Sequence, residues 1–135
     1  MIKQEIVEKV RAAGVVGAGG AGFPTHVKLE ADVERVLGNG ASCEPLLTSD
    51  LFLVENESED ILSGLSMVMQ STGAGRGTLC LKEKHFEAFG TLEKMISKHK
   101  IKDIDIFGLG DFYPAGDEMV LVYEVMNRVV PEGGF

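Results

Sequence analysis

Gly17-Ala18-Gly19-Gly20-Ala21-Gly22-Phe23-Pro24-Thr25, with Lys28 shortly beyond, is the stretch on which the fold turns. Its first six residues satisfy Gly-x-Gly-x-x-Gly, the dinucleotide-binding fingerprint, which needs a strand before it and a helix opening directly after it. Upstream, Ile2, Ile6, Val7, Val10 and Ala13 recur at helical spacing, so a short amphipathic helix is expected and only Val15 and Val16 remain for a strand. Downstream, Phe23-Pro24-Thr25 falls where the helix should open, and proline biases the residue before it away from helical geometry. The ordinary dinucleotide fingerprint therefore fails. No Gly-Lys-Ser/Thr follows, which excludes a Walker A loop as well.

The chemistry open to the loop survives the loss of both names. Glycines adopt positive φ and let a ligand approach the main chain, so successive N–H groups can converge on an anion or lie along a flat ring. Lys28 can add a point charge for a phosphate. The plain alternative is a mobile surface turn.

With 135 residues the chain fits one domain and is long enough to bury a proper core. A net charge of −8 argues against nucleic-acid binding, which needs clustered Lys and Arg. Cys43 and Cys80 stand far apart with no Cys-x-x-Cys partner, so neither an iron-sulfur cluster nor a structural zinc site can be assembled from them. His26, His85 and His99 are scattered without metal-ligand spacing. The sequence shows no signal peptide and no run of eighteen apolar residues, and the expected setting is the cytoplasm, without direct membrane insertion.

After the loop, Val33 to Gly38 reads as a short strand and Asn39 to Pro45 as a turn-rich connection. Ser58 is placed to cap a helix whose first turn holds Glu59 and Asp60; Ile61, Leu62, Leu65, Val68 and Met69 form its inner face, and Gly73 ends it. A strand over Gly77 to Leu81 follows, then a helix marked by Phe86, Phe89, Leu92 and Ile96, a strand at Ile104 to Phe107, and a last helix from Gly116 with Leu121, Val122, Val125 and Met126 inward. This alternation predicts an α/β, Rossmann-like three-layer domain with a mainly parallel sheet and helices packed on it. Such folds bind ligands outside the carboxyl ends of their strands, where the glycine loop, the Asn39 turn and the Tyr113 to Glu118 turn would converge.

Three segments carry a resemblance: Gly14 to Leu29, Asn39-Gly40-Ala41-Ser42-Cys43-Glu44-Pro45-Leu46-Leu47-Thr48-Ser49-Asp50, and Tyr113-Pro114-Ala115-Gly116-Asp117-Glu118. In their order and spacing they resemble the FMN-binding domain shared by the NADH-oxidising flavoprotein subunit of respiratory complex I and RnfC-type electron-transport proteins. His26, Cys43 and the Leu-Leu-Thr-Ser-Asp run are more similar to the RnfC branch, which includes PduS-like and proline-reductase-associated proteins. The resemblance implies FMN as cofactor, with Gly17, Gly19, Gly20, Gly22, Lys28, Asn39, Tyr113, Gly116, Asp117 and Glu118 at flavin-contacting positions. It implies NADH as electron donor, with Phe23 stacking the adenine and Glu44 and Glu118 near the nicotinamide path. Electrons would pass to iron-sulfur clusters in another segment, domain or subunit, and the resemblance also implies a place peripheral to a membrane electron-transport complex.

The chain also departs from the family pattern, and Leu29-Glu30-Ala31 lacks the aromatic residue that the complex I branch has shortly after the lysine. Ser42 stands where glutamate is usual, and Ala41 where the complex I branch carries aspartate. Residues 1–135 are thus expected to be an FMN-binding domain forming the amino-terminal part of a longer electron-transfer protein. The alternative is a truncated module that keeps the fold for subunit assembly without flavin. For single residues the structural alternatives also stand: Asp117 and Glu118 suit any helix N-terminus, Lys28 a solvated surface, Phe23 a core, and Cys43 and Cys80 small buried apolar positions.

Overall fold

The computed structural model describes residues 2–18, 21–41, 49–112 and 115–129. The chain opens with helix α1 (Lys3–Ala12) and a short helix α2 (Thr25–Leu29). Strand β1 (Arg35–Asn39) is followed by helices α3 (Ser49–Asn56) and α4 (Ser58–Thr72), strand β2 (Arg76–Lys82), helix α5 (Phe86–Lys98), strand β3 (Ile104–Leu109) and helix α6 (Glu118–Met126). Among the described residues the three strands form one parallel sheet in the order β1-β2-β3. The register sets Asn39 opposite Cys80, and Lys82 opposite Leu109.

Parallel strands need crossovers, and α3 and α4 between β1 and β2, and α5 between β2 and β3, supply them on one face of the sheet, while α6 covers the other. Leu79 and Leu81 of β2 and Ile104 of β3 meet Val54 of α3, Leu62, Leu65 and Met69 of α4, and Ala88 and Leu92 of α5 in the larger core. Successive side chains of a strand point to opposite faces, so Cys80 lies on the other side. There it packs with Ala41, Leu109 and Leu121 of α6 in a second, smaller core. Helices on both faces of a parallel sheet give the three-layer α/β fold that the alternation of elements predicts. Outside these layers, Ile6 and Val7 of α1 and Leu29 of α2 pack together with Val68 of α4, which attaches the amino-terminal segment to the sheet domain.

Several local expectations shift. Helix α2 does begin at Thr25, because Pro24 takes the extended cap position (φ −65°, ψ 117°) rather than blocking the helix. The dinucleotide fingerprint still fails, since a helix and not a strand precedes the loop. Ser58 is the first helical residue of α4, not its cap; Glu57 takes the cap position, and its N–H is bonded to Leu53 of the helix before. Gly73 ends α4 at φ 70°, in the left-handed conformation that glycine adopts without strain. Helix α3 has no counterpart in the sequence reading: only Val54 is buried on it, while Phe52 and Leu53 face outward, so it carries no apolar stripe to read. Phe86 is 74% exposed at the start of α5 rather than inward.

On the α6 side of the sheet, toward the amino ends of the strands, a polar network crosses all three strands. Arg35 of β1 donates to the buried Thr78 hydroxyl of β2 from Nε (3.0 Å) and from its guanidinium terminus (2.7 Å). Thr78 in turn donates to Asp105 of β3 at 2.5 Å, and Arg76 pairs with the second Asp105 oxygen. Every strand thus contributes to the network, β2 with both Arg76 and Thr78, and the hydroxyl that links Arg35 to Asp105 is fully buried.

Candidate functional site

The glycine loop is closed at its base. Val16 and Pro24 form an isolated antiparallel bridge, Gly17 N–H donates to the Phe23 carbonyl at 2.9 Å, and Thr25 N–H donates to the Val15 carbonyl at 3.2 Å. Gly17, Ala18, Ala21 and Gly22 are exposed, and Gly22 sits at φ 62°, where a side chain would be strained. The Gly17 amide is therefore committed to the loop itself. Gly19 and Gly20 lie outside the described residues.

Helix α2 leads directly out of this loop and carries Lys28. The Lys28 ammonium lies 5.3 Å from the centroid of the Phe23 ring, a cation–π pair at the mouth of the loop. Phe23 is 40% exposed, so the ring is not a core residue; it presents an aromatic surface beside a positive charge.

The second group lies at the carboxyl edge of the sheet. Asn39 closes β1, and its Nδ2 donates to the Gly116 carbonyl at 2.8 Å while its Oδ1 accepts from the Ala41 N–H at 3.1 Å. One bond folds the chain leaving β1, and the other ties that strand end to the turn before α6. An amide carries two donors and two acceptor lone pairs, so Asn39 keeps capacity for a ligand after both. Gly40 continues the strand end, donating to the Cys80 carbonyl at 2.8 Å. A Cβ on Gly40 would stand 2.5 Å from Leu81 Cδ2 and 3.1 Å from the Cys80 carbonyl, so a side chain here is crowded.

Asp117 is the N-cap of α6. Its Oδ1 accepts from Met119 N–H at 3.0 Å and Val120 N–H at 3.2 Å, the helix-terminus role that the sequence left open for it. Among the described residues its second carboxylate oxygen makes no hydrogen bond, and it stays available to hydroxyl groups of a ligand. Glu118 opens α6. Ser42, Cys43 and Glu44 in the turn after β1, and Tyr113 in the turn after β3, lie outside the described residues.

The structure therefore joins Asn39 to Gly116 and Asp117, and separately joins Gly17, Phe23 and Lys28. A cleft of about 200 Å³ lies against the first group, lined by Gly38, Asn39, Gly40, Asp50, Leu53 and neighbours. Asp50 and Leu53 come from α3, the helix that the sequence did not reveal. Larger clefts lie elsewhere, one of about 510 Å³ beside Glu59 and His99 among them. Cys80, between the layers, is fully buried, and burial pushes its thiol up to about 12 against a smaller opposing effect of Arg35. It is a protonated core residue.

Bare glycine backbone, an exposed lysine, an amide with spare hydrogen-bonding groups and a carboxylate oxygen for hydroxyls are, by their chemistry, groups that suit a phosphorylated flavin. The fold and this edge define an α/β ligand-binding domain. Residues 10–135 match the Nuo51 FMN-binding domain family, and the chain belongs to it.

Relatives locate it further. The chain is 45% identical to cobalamin reductase PduS of Citrobacter freundii over 95% of its own length and 28% of the relative's. It is 37% identical to one of the subunits of the Na(+)-translocating ferredoxin:NAD(+) oxidoreductase complex of Acetobacterium woodii, over 95% of this chain and 29% of that protein. Among solved structures, NAD+-reducing [NiFe]-hydrogenase in its H2-reduced state is similar with a TM-score of 0.74 and 26% identity, covering 90% of this chain and 24% of that one. The chain thus spans under a third of the length of these proteins. No helix among the described residues is long and apolar enough to cross a membrane.

Proposed function

We propose that this domain binds FMN at the carboxyl edge of its sheet, accepts hydride there from NADH, and serves as the electron-input module of a longer protein or complex whose iron-sulfur clusters take the electrons onward. The observation that carries the reading is the Asn39 to Gly116 hydrogen bond, which draws together the turns after β1 and β3 at the edge where parallel α/β sheets bind ligands. When bound, the flavin supplies the hydride-accepting and electron-donating chemistry, and the protein supplies position and electrostatics.

Each residue then has a stated task. The Gly17, Gly19, Gly20 and Gly22 backbone lies along the cofactor, Lys28 neutralises its phosphate, and Asn39, Tyr113, Gly116, Asp117 and Glu118 hydrogen-bond the ring and ribityl chain. Phe23 offers its ring to the adenine of NADH, with Glu44 and Glu118 beside the nicotinamide. Lys28 lies over Phe23, so the phosphate and adenine sites adjoin through one cation–π pair. Similarity to a protein of a ferredoxin:NAD(+) oxidoreductase complex and to an NAD+-reducing enzyme supports NADH as donor and an iron-sulfur partner. Titrating the protein into FMN and following flavin fluorescence tests the cofactor, and anaerobic bleaching of the bound flavin by NADH tests the donor. Quenching without bleaching would leave a flavin domain that NADH does not reduce.

One observation favours a second reading. The cleft beside Asn39 measures about 200 Å³ among the described residues, below the roughly 300–1,000 Å³ of small-molecule sites. A module that keeps the fold for subunit assembly would remain folded, leave FMN fluorescence unchanged, and still bind an iron-sulfur partner.

A further inference from the structure

Lys82 ends β2, the central strand, and only 9% of the residue is exposed. Two residues beyond Cys80 on the same strand, it shares the face that α6 covers, opposite Leu109 in the register. A lysine can pack its four-carbon stem against apolar neighbours and carry its charged head to the edge of the sheet, where a counter-charge can meet it. The counter-charge here is Asp111, whose Oδ1 lies 3.7 Å from the Lys82 ammonium. Lys84 reaches the same oxygen at 3.1 Å from a half-exposed position.

Asp111 is the second residue after β3, in the segment that runs from Gly110 to the Gly116 carbonyl gripped by Asn39 and the Asp117 cap of α6. This segment is fixed at its far end by Asn39 and Asp117. At its near end the Glu83 N–H donates to the Leu109 carbonyl at 2.8 Å, so the strand ends of β2 and β3 stay paired up to the point where the segment departs. The Lys82 to Asp111 ion pair then holds its first turn against the sheet.

We infer that Lys82 is a positioning residue for the flavin site: its ammonium, carried on a packed stem, anchors through Asp111 the segment between β3 and α6 that presents Gly116 and Asp117. This rests on the FMN reading above. It adds a residue that touches none of the proposed cofactor contacts and acts through the segment that carries them. Lys84 is the nearer cation to the exposed Asp111 carboxylate, and Lys82 differs from it in holding its stem packed in the sheet.

The test combines a readout that needs no flavin with one that does. Lys82→Met keeps the packed stem and removes the charge, Lys82→Arg restores a cation, and Asp111→Asn removes the counter-charge at an exposed position that does not threaten folding. In the flavin-free protein, Lys82→Met and Asp111→Asn are expected to speed amide exchange across 110–117 several-fold while β2 and β3 amides stay protected. With FMN, both weaken binding about tenfold, as for loss of a hydrogen bond or ion contact to a charged group, and Lys82→Arg recovers most of it. Unchanged exchange across 110–117 in both variants overturns the inference, as does altered exchange with unchanged FMN affinity. A wild-type protein that binds no FMN contradicts the flavin reading instead, and the exchange data then decide alone whether Lys82 holds the segment.

Discussion

Asn39 at the end of β1 donates to the carbonyl of Gly116, 77 positions later in the chain, at 2.8 Å. A single amide thereby fixes the spacing between the turn leaving the first strand and the turn entering the last helix. Asn39→Ala removes that bond and the Ala41 contact together. With each bond contributing about 1 kcal/mol, FMN binding should weaken roughly fivefold or more, with a small loss of stability. Flavin fluorescence titration beside thermal unfolding checks it; equal affinity in the variant would count against Asn39 as an organiser of the site.

Gly40 tests the same strand end by volume. An added Cβ would press on Leu81 Cδ2, which can turn aside, and on the Cys80 carbonyl, which belongs to the central strand and cannot. Gly40→Ala should cost about 1–3 kcal/mol in urea unfolding, the usual range for overpacking a tight site.

The network across the strands should govern acid stability. Burial pushes the Asp105 carboxyl up, yet hydrogen bonds from Thr78 and Arg76 and the charges of Arg76 and Arg35 outweigh it and hold the group below its ordinary 3.8. A carboxyl with a depressed folded-state pKa stabilises the protein above its unfolded value, and that stability is lost as pH falls through the folded value. The urea midpoint of the wild type should therefore drop as pH is lowered past about 4, and Asp105→Asn should be weaker at neutral pH but flatter across this window. Parallel profiles for the two proteins would contradict the assignment. Thr78→Val, which leaves Arg35 and Asp105 without their shared hydroxyl, should cost about 1–3 kcal/mol at neutral pH.

Cys80 gives a chemical check on the layers. With its thiol pushed up to about 12 by burial, it should resist thiol reagents in the native state and react only on unfolding. A Cys43→Ser variant isolates that measurement; rapid modification under native conditions would show that the core between sheet and α6 is open.

Phe23 and Lys28 should separate the two ligands. Phe23→Ala should raise the KM for NADH while leaving FMN affinity within about twofold, and Lys28→Ala should weaken FMN roughly tenfold through loss of a charged contact. Steady-state kinetics of the flavin-loaded protein, beside flavin titration, distinguish them. A reversed pattern would exchange the two roles.

Much of the layer arrangement is legible in the sequence because burial imposes periodicity. Leu62, Leu65 and Met69 face one way at helical spacing, and Gly73 ends that run where the structure places a left-handed residue. Helix α3 is not legible, because Phe52 and Leu53 face outward and only Val54 is fully buried, with Leu51 half-buried against the core. Phe86 misleads for the reverse reason: its spacing fits the apolar stripe of α5, but it stands at the first turn, beyond the reach of the sheet. The network of Arg35, Thr78 and Asp105 depends on strand register, which no single segment encodes. For the site, the glycine loop and the Asn39 and Tyr113 turns gain meaning from family resemblance, whereas Lys82 and Asp111 carry no motif and emerge only from the folded edge.

In the proposed function FMN sits at the carboxyl edge of the sheet, between the glycine loop and the Asn39 to Gly116 tie. Mapping backbone amide chemical-shift changes as FMN is added tests it most directly. Changes are expected to concentrate in 17–28, 39–41 and 115–118, with little effect on the cleft beside Glu59 and His99. No change at saturating FMN, or changes confined to that other cleft, would contradict it.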